Sequence, residues 1–73
     1  MKQDKEFRIR SYGKSELAML YFPNLTQETA SKKLRGWLRI NPRLCYLINK
    51  SIHDYTPKQV RQIVEEVGEP SEN

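Results

Sequence analysis

Four cations fall between positions 32 and 39 of this chain: Lys32, Lys33, Arg35 and Arg39. Groups of this kind neutralise phosphate oxygens and release the counterions condensed around a nucleic acid. Gln27, Thr29 and Ser31 lie just upstream and carry the short amide and hydroxyl groups that hydrogen-bond to base edges. A second pair, Arg8 and Arg10, alternates with Phe7 and Ile9 near the start. No other chemistry is legible. There is no carboxylate pair, no Ser/His/Asp set and no phosphate-cradling glycine loop, so the expectation is a protein that is not an enzyme. One cysteine, Cys45, and one histidine, His53, exclude an intrachain disulfide and leave too few ligands for a Cys/His metal set. No cofactor or small-molecule substrate is implied. His53 stands in a polar stretch and is expected at the surface, whereas Cys45, within Leu44-Cys45-Tyr46-Leu47-Ile48, is expected to be buried or half-buried.

The central cations need a helix to align them. Thr26 is a good N-cap, and Gln27 and Glu28 follow it, the acid lying at the positive end of the helix dipole. A helix over residues 27–40 advances about 100° per residue. It gathers Ala30, Leu34, Trp37 and Leu38 on one side. With Lys32 set at zero, Arg35 falls near about −60° and Arg39 near about −20°, while the apolar cluster centres near about 180°. The cations therefore turn away from the core, with Lys33 on the flank. Gly36 lies on the basic side, where it permits close approach.

Other elements follow from local signals. The run Phe7-Arg8-Ile9-Arg10-Ser11-Tyr12 has period two and predicts a short strand or extended arm, with Phe7 and Ile9 inward. Gly13, or alternatively Ser15, caps a first helix over 14–22, with Glu16 placed to reach back to Gly13. That helix is apolar nearly all round and is expected to be buried at the centre, and Pro23 ends it. Asn41-Pro42 predicts a third helix over 42–50, with Leu44, Leu47 and Ile48 on one face. Residues 51–55 form a polar connection, a small hairpin or a strand for the N-terminal arm. Thr56-Pro57-Lys58-Gln59 is a capping box with proline at the first helical position. Val60, Ile63, Val64 and Val67 recur at helical spacing behind it, and Gly68 and Pro70 stop the helix.

At 73 residues the chain is one domain with a thin margin of stability. The expected organisation is a frayed start over 1–6, a helical domain over 7–68 and a disordered tail over 69–73. The net charge of +4 conceals an asymmetry. Residues 1–50 carry eleven Lys/Arg and four Asp/Glu, +7; residues 51–73 carry two and five, −3. A basic body with an acidic end suits a polyanion met by one side. The longest apolar run is the six residues 17–22, against about 20 for a membrane span. No apolar stretch follows Met1-Lys2-Gln3-Asp4-Lys5-Glu6, so a secretory signal is not expected and the cytoplasm is the default compartment.

Three segments carry a resemblance: Phe7-Arg8-Ile9-Arg10-Ser11-Tyr12-Gly13-Lys14-Ser15-Glu16-Leu17-Ala18, Leu34-Arg35-Gly36-Trp37-Leu38, and Tyr55-Thr56-Pro57-Lys58-Gln59-Val60. Together they resemble a family of short bacterial proteins described as a domain of unknown function, from about residue 7 to 70. That resemblance implies no activity. Ser15-Glu16-Leu17-Ala18 followed by Leu34-Arg35-Gly36-Trp37-Leu38 is also similar to the first two helices of the MerR and excisionase class of DNA-binding domains. The chain differs from that class in placing Pro23 in the turn and in lacking a clear wing hairpin over 44–55.

The expected fold is mainly α, a helix-turn-helix-like bundle of about four helices with a short N-terminal strand or arm. The expected function is binding of duplex DNA as a regulator or accessory factor. Gln27, Thr29, Ser31 and Lys32 would meet bases, Lys33, Arg35 and Arg39 would meet phosphates, and Arg8 and Arg10 would meet the backbone or a neighbouring minor groove. A homodimer would double such contacts. The alternative is a protein-interaction module without nucleic-acid binding, pairing a partner or second copy along the edge from Phe7 to Tyr12.

Overall fold

Threonine hydroxyls start both longer helices. In the computed structural model, which describes residues 7–70, the Thr26 side chain accepts from the Thr29 N–H and opens α2, Gln27–Ile40. The Thr56 side chain accepts from the Gln59 N–H and opens α3, Pro57–Val67. The Gln59 side chain returns a bond to the Thr56 N–H, which completes the capping box. Gly68 closes α3 at φ 91°, a left-handed conformation that favours glycine, and its N–H bonds to the Val64 carbonyl. A shorter helix, α1, Lys14–Tyr21, follows Gly13, whose N–H is held by the Glu16 carboxylate at 3.1 Å. Because glycine has no side chain, only this half of a capping box is available.

A two-residue antiparallel ladder ties the chain start to its second half. Strand β1, Tyr12–Gly13, pairs with β2, Asp54–Tyr55, in the register Tyr12 with Tyr55 and Gly13 with Asp54. The Ser11 hydroxyl adds a bond to the Tyr55 carbonyl. Both paired tyrosines are buried and stand at the edge of the core.

The core is one cluster: Leu17, Ala18 and Tyr21 from α1, Ala30, Leu34 and Leu38 from α2, Val60 and Ile63 from α3, and Leu44 and Leu47 from the connection. Each fully buried leucine contributes roughly 1.5–3 kcal/mol through removal from water. Tyr21 also donates its hydroxyl to the Gly68 carbonyl at 2.6 Å, so α1 is fastened to the end of α3. No helix among the described residues is long and apolar enough to cross a membrane.

Several expectations are corrected. Among the described residues there are three α-helices where about four were expected, because residues 42–50 do not form an α-helix. They make a turn and a 3-10 helix, Cys45–Ile48. The Asn41 side chain accepts from the Arg43 N–H and its carbonyl accepts from Leu44 and Cys45, which tightens the chain at once. In a 3-10 helix residues three apart eclipse one another. Leu44 and Leu47 are accordingly buried together, while Cys45 and Tyr46 face solvent. The thiol is thus exposed, against the expectation of burial.

Helix α1 ends one residue early, at Tyr21, and it is buried on one side only where a buried central helix was expected, since Leu20 is exposed. Residues 7–11 are not a strand, and Ile9 is exposed where it was expected inward. The arm curls back: Phe7 stacks on Tyr12 at 5.6 Å, and the Tyr12 hydroxyl donates to the Arg8 carbonyl. The domain also extends past 68, because Pro70 is buried. The expectations for 1–6 and 71–73 fall outside the described residues.

Candidate nucleic-acid interface

Helix α2 sorts its side chains as its periodicity requires. Ala30, Leu34 and Leu38 are buried against α1 and the rest of the core, and Lys32, Lys33, Arg35 and Arg39 are exposed. Trp37 is half-buried on the core side. Its ring meets Phe22 at 4.9 Å and Tyr21 at 5.7 Å, both edge-on. These contacts fix the rotation of α2 about its own axis, and with it the outward aim of the cations.

The electrostatics of the ridge are open. Lys32 lies 3.7 Å from Glu28 one turn earlier, with both side chains more than 70% exposed, so the pair contributes little. Among the described residues no acid pairs with Lys33, Arg35 or Arg39. Helix α2 carries four cations and one acid, a charge of +3. Gly36 sits on the same side, and a Cβ there would meet nothing within 4 Å. The end of the ridge is apolar, with Ile40 80% exposed.

The other predicted site residues divide. Thr29 is exposed on the ridge side, but its hydroxyl is engaged by Thr26 at 2.9 Å. Gln27 is exposed and turned toward α1, where its amide donates to the Ser15 hydroxyl at 2.8 Å. Its place on the turn nearest α1 explains why it does not extend the ridge. Ser31 is half-buried and faces a cleft beside the ridge. Arg8 is exposed. Arg10 is not free as expected: its guanidinium lies 3.9 Å from the centre of the Tyr12 ring and 3.1 Å from the Glu16 carboxylate. Arg10 thus serves the N-terminus of α1. The Gly13 N–H, first, and Arg10, second, hold the Glu16 carboxyl below its ordinary pKa.

The cleft itself was not foreseen. It runs between the first turn of α1, the flank of α2, the 3-10 helix and β2, and is lined by Lys14, Arg35, His53 and Tyr55 among others. No periodicity could have revealed it, because its polar groups come from three separate segments. His53 is exposed, as its polar surroundings led us to expect.

No curated protein and no solved structure matches this chain. A family model does match, over residues 8–70, and it is described as a domain of unknown function, DUF4248. The matched span takes in the three helices, both strands and every residue of the ridge, so the chain belongs to the DUF4248 family.

Proposed function

We propose that the protein binds duplex DNA through the outward face of α2. The observation that carries this reading is the row of exposed cations opposite the Ala30, Leu34 and Leu38 core face, of which Lys33, Arg35 and Arg39 lack acidic partners among the described residues. A row of this kind is suited to phosphates lining the major groove, which admits an α-helix. The pairing of a short α1 with a longer basic α2 across residues 22–26 also supports a helix-turn-helix arrangement, in which the first helix braces the second. The similarity of Ser15-Glu16-Leu17-Ala18 and Leu34-Arg35-Gly36-Trp37-Leu38 to the MerR and excisionase class points the same way.

In this reading Lys32, Lys33, Arg35 and Arg39 neutralise phosphates, with Arg8 as a fifth contact from the arm. Base discrimination falls to Thr29, whose hydroxyl accepts from Thr26 and keeps its own proton to donate, because Gln27 is held by Ser15 and Ser31 lies in the cleft. Gly36 lets the helix backbone approach the duplex.

The test is fluorescence anisotropy with a labelled random-sequence duplex and the purified full chain. Charge reversal in the double variant Arg35→Glu, Arg39→Glu should lower affinity by at least a hundredfold, since two attractive phosphate contacts become repulsive. Undiminished binding by a folded double variant would exclude α2 as the binding surface.

A further inference from the structure

Beside the cation ridge, the cleft of about 350 Å³ has the size of a small-ligand site, at the low end of the roughly 300–1,000 Å³ range of such pockets. Its chemistry is two-sided. Lys14, Arg35 and His53 line the cleft, contributed by α1, α2 and the loop before β2. Asp54 is the one acid in the lining. Its apolar side is Ile48 of the 3-10 helix, which is half-buried and lies with the buried Leu38 and Leu47 in the lining.

Two features mark the cleft as more than a gap between elements. Lys14 donates to the Asn49 carbonyl at 3.2 Å, which holds the ammonium over the cleft and leaves two of its three donors unused. Tyr55 is 3% exposed, yet its hydroxyl has no hydrogen-bond partner among the described residues. A buried phenol normally finds one. No side-chain oxygen of the described residues is both sealed from solvent and unbonded, so the phenol oxygen keeps some accessible surface, and Tyr55 lines the cleft. Burial pushes the Tyr55 phenol above its ordinary pKa, while the positive charge of Arg35, which lines the same cleft, acts in the opposite sense. A neutral phenol at physiological pH is a hydrogen-bond donor for an anion.

We infer that this cleft binds a phosphate ester, with the phosphate held by Lys14, Arg35, His53 and the Tyr55 hydroxyl and the organic part seated against Ile48. The inference goes beyond the DNA-binding reading. It uses the opposite flank of Arg35 and three residues that the ridge does not include. The phosphate ester could reach the cleft as a free mononucleotide or as one unit of a nucleic-acid strand.

The test is an amide NMR titration of the isotopically labelled full chain with AMP, adenosine and inorganic phosphate, followed by a duplex competition. AMP should give saturable shifts at Ser31, His53 and Tyr55. Adenosine, lacking the anion, and phosphate, lacking the organic part, should each bind at least tenfold more weakly, the loss expected for charge-assisted bonds or for apolar burial. The surface variant Lys14→Gln, His53→Gln should weaken AMP about tenfold or more, and Tyr55→Phe should do so with the ring retained. If Tyr55→Phe fails to fold, the double surface variant decides. In contrast, Lys33→Glu, Arg39→Glu should leave AMP binding intact while removing duplex binding, so the two readings fail separately. Displacement of AMP by excess duplex would identify a strand as the source of the phosphate, and simultaneous binding a free nucleotide. Absence of saturable shifts in the cleft, or equal AMP affinity in the double surface variant, would overturn the inference.

Discussion

Helices α2 and α3 solve the same folding problem with opposite surfaces. Each begins at a threonine whose hydroxyl caps the first turn, and each buries a face of aliphatic side chains against the same core. Their outer faces differ. Helix α2 carries four cations and one acid; α3 carries Lys58, Arg61, Glu65 and Glu66 and is neutral. One of the two acids of α3 is also engaged locally, since Glu66 accepts from Asn41 at 3.0 Å and lies 3.9 Å from Arg43. Capping and burial are therefore satisfied without fixing the sign of the exposed face. Solvation alone explains a balanced surface like that of α3. The unbalanced surface of α2 is the ground on which DNA is proposed as its partner.

The inward faces should behave alike. Leu34→Ala, Leu38→Ala and Ile63→Ala each remove a fully buried side chain and should destabilise by about 2–5 kcal/mol in urea denaturation. Against a total stability of roughly 4–11 kcal/mol for a chain of this length, any of them can unfold the protein. A much smaller cost in α3 than in α2 would break the equivalence of the two core faces.

The outward faces should behave differently. Arg61→Glu on α3 is the control for charge reversal on α2, and it should leave duplex affinity within about threefold of the parent in an anisotropy titration, because exposed charges away from the contact act only through a screened field. Gly36→Ala sharpens the contrast further. Its Cβ meets no atom, so the substitution should stabilise the helix by about 0.5–1 kcal/mol. The same methyl should lower duplex affinity if the backbone approaches the DNA at that point. A rise in both stability and affinity would remove Gly36 from the interface.

Much of this organisation was legible in the sequence. Helix caps are local chemistry, so Thr26 and Thr56 marked the starts of α2 and α3 to the residue. Helical periodicity separated the ridge from the core before any tertiary information. The failures share a cause. Residues 7–11 alternate like a strand, but a strand needs neighbours along its length, and β2 offers only Asp54 and Tyr55. Arg10 consequently folds onto Tyr12 and Glu16. Leu44, Leu47 and Ile48 fit α-helical spacing as well as 3-10 spacing, and only the Asn41 turn distinguishes the two. The cleft escaped notice because it is a product of packing among separate segments.

The caps provide a smaller test. Thr26→Ala should cost about 1 kcal/mol. Thr56→Ala should cost about as much, because the Thr56 N–H that donates to the Gln59 side chain survives the substitution; Gln59→Ala removes that second bond and leaves the Thr56 hydroxyl cap, so it should cost less. No loss of stability in Gln59→Ala would show that the second bond of the capping box adds nothing here. The smallest expected effect is at Glu16. Its lowered pKa means that its contribution is present at neutral pH and is lost as the pH falls through that lowered value. Glu16→Gln should therefore lower the neutral-pH plateau of a stability-against-pH curve slightly and make its acid limb shallower by the same amount, so that the variant and parent curves converge at low pH.

The salt dependence of duplex affinity bears most directly on the role of the α2 surface. Five phosphate contacts, from Arg8, Lys32, Lys33, Arg35 and Arg39, predict a slope of about −4 to −5 in a plot of log affinity against log salt concentration, reduced by about 1 in Arg39→Gln. A slope near zero, or one that Arg39→Gln leaves unchanged, would contradict the assignment of this ridge to DNA.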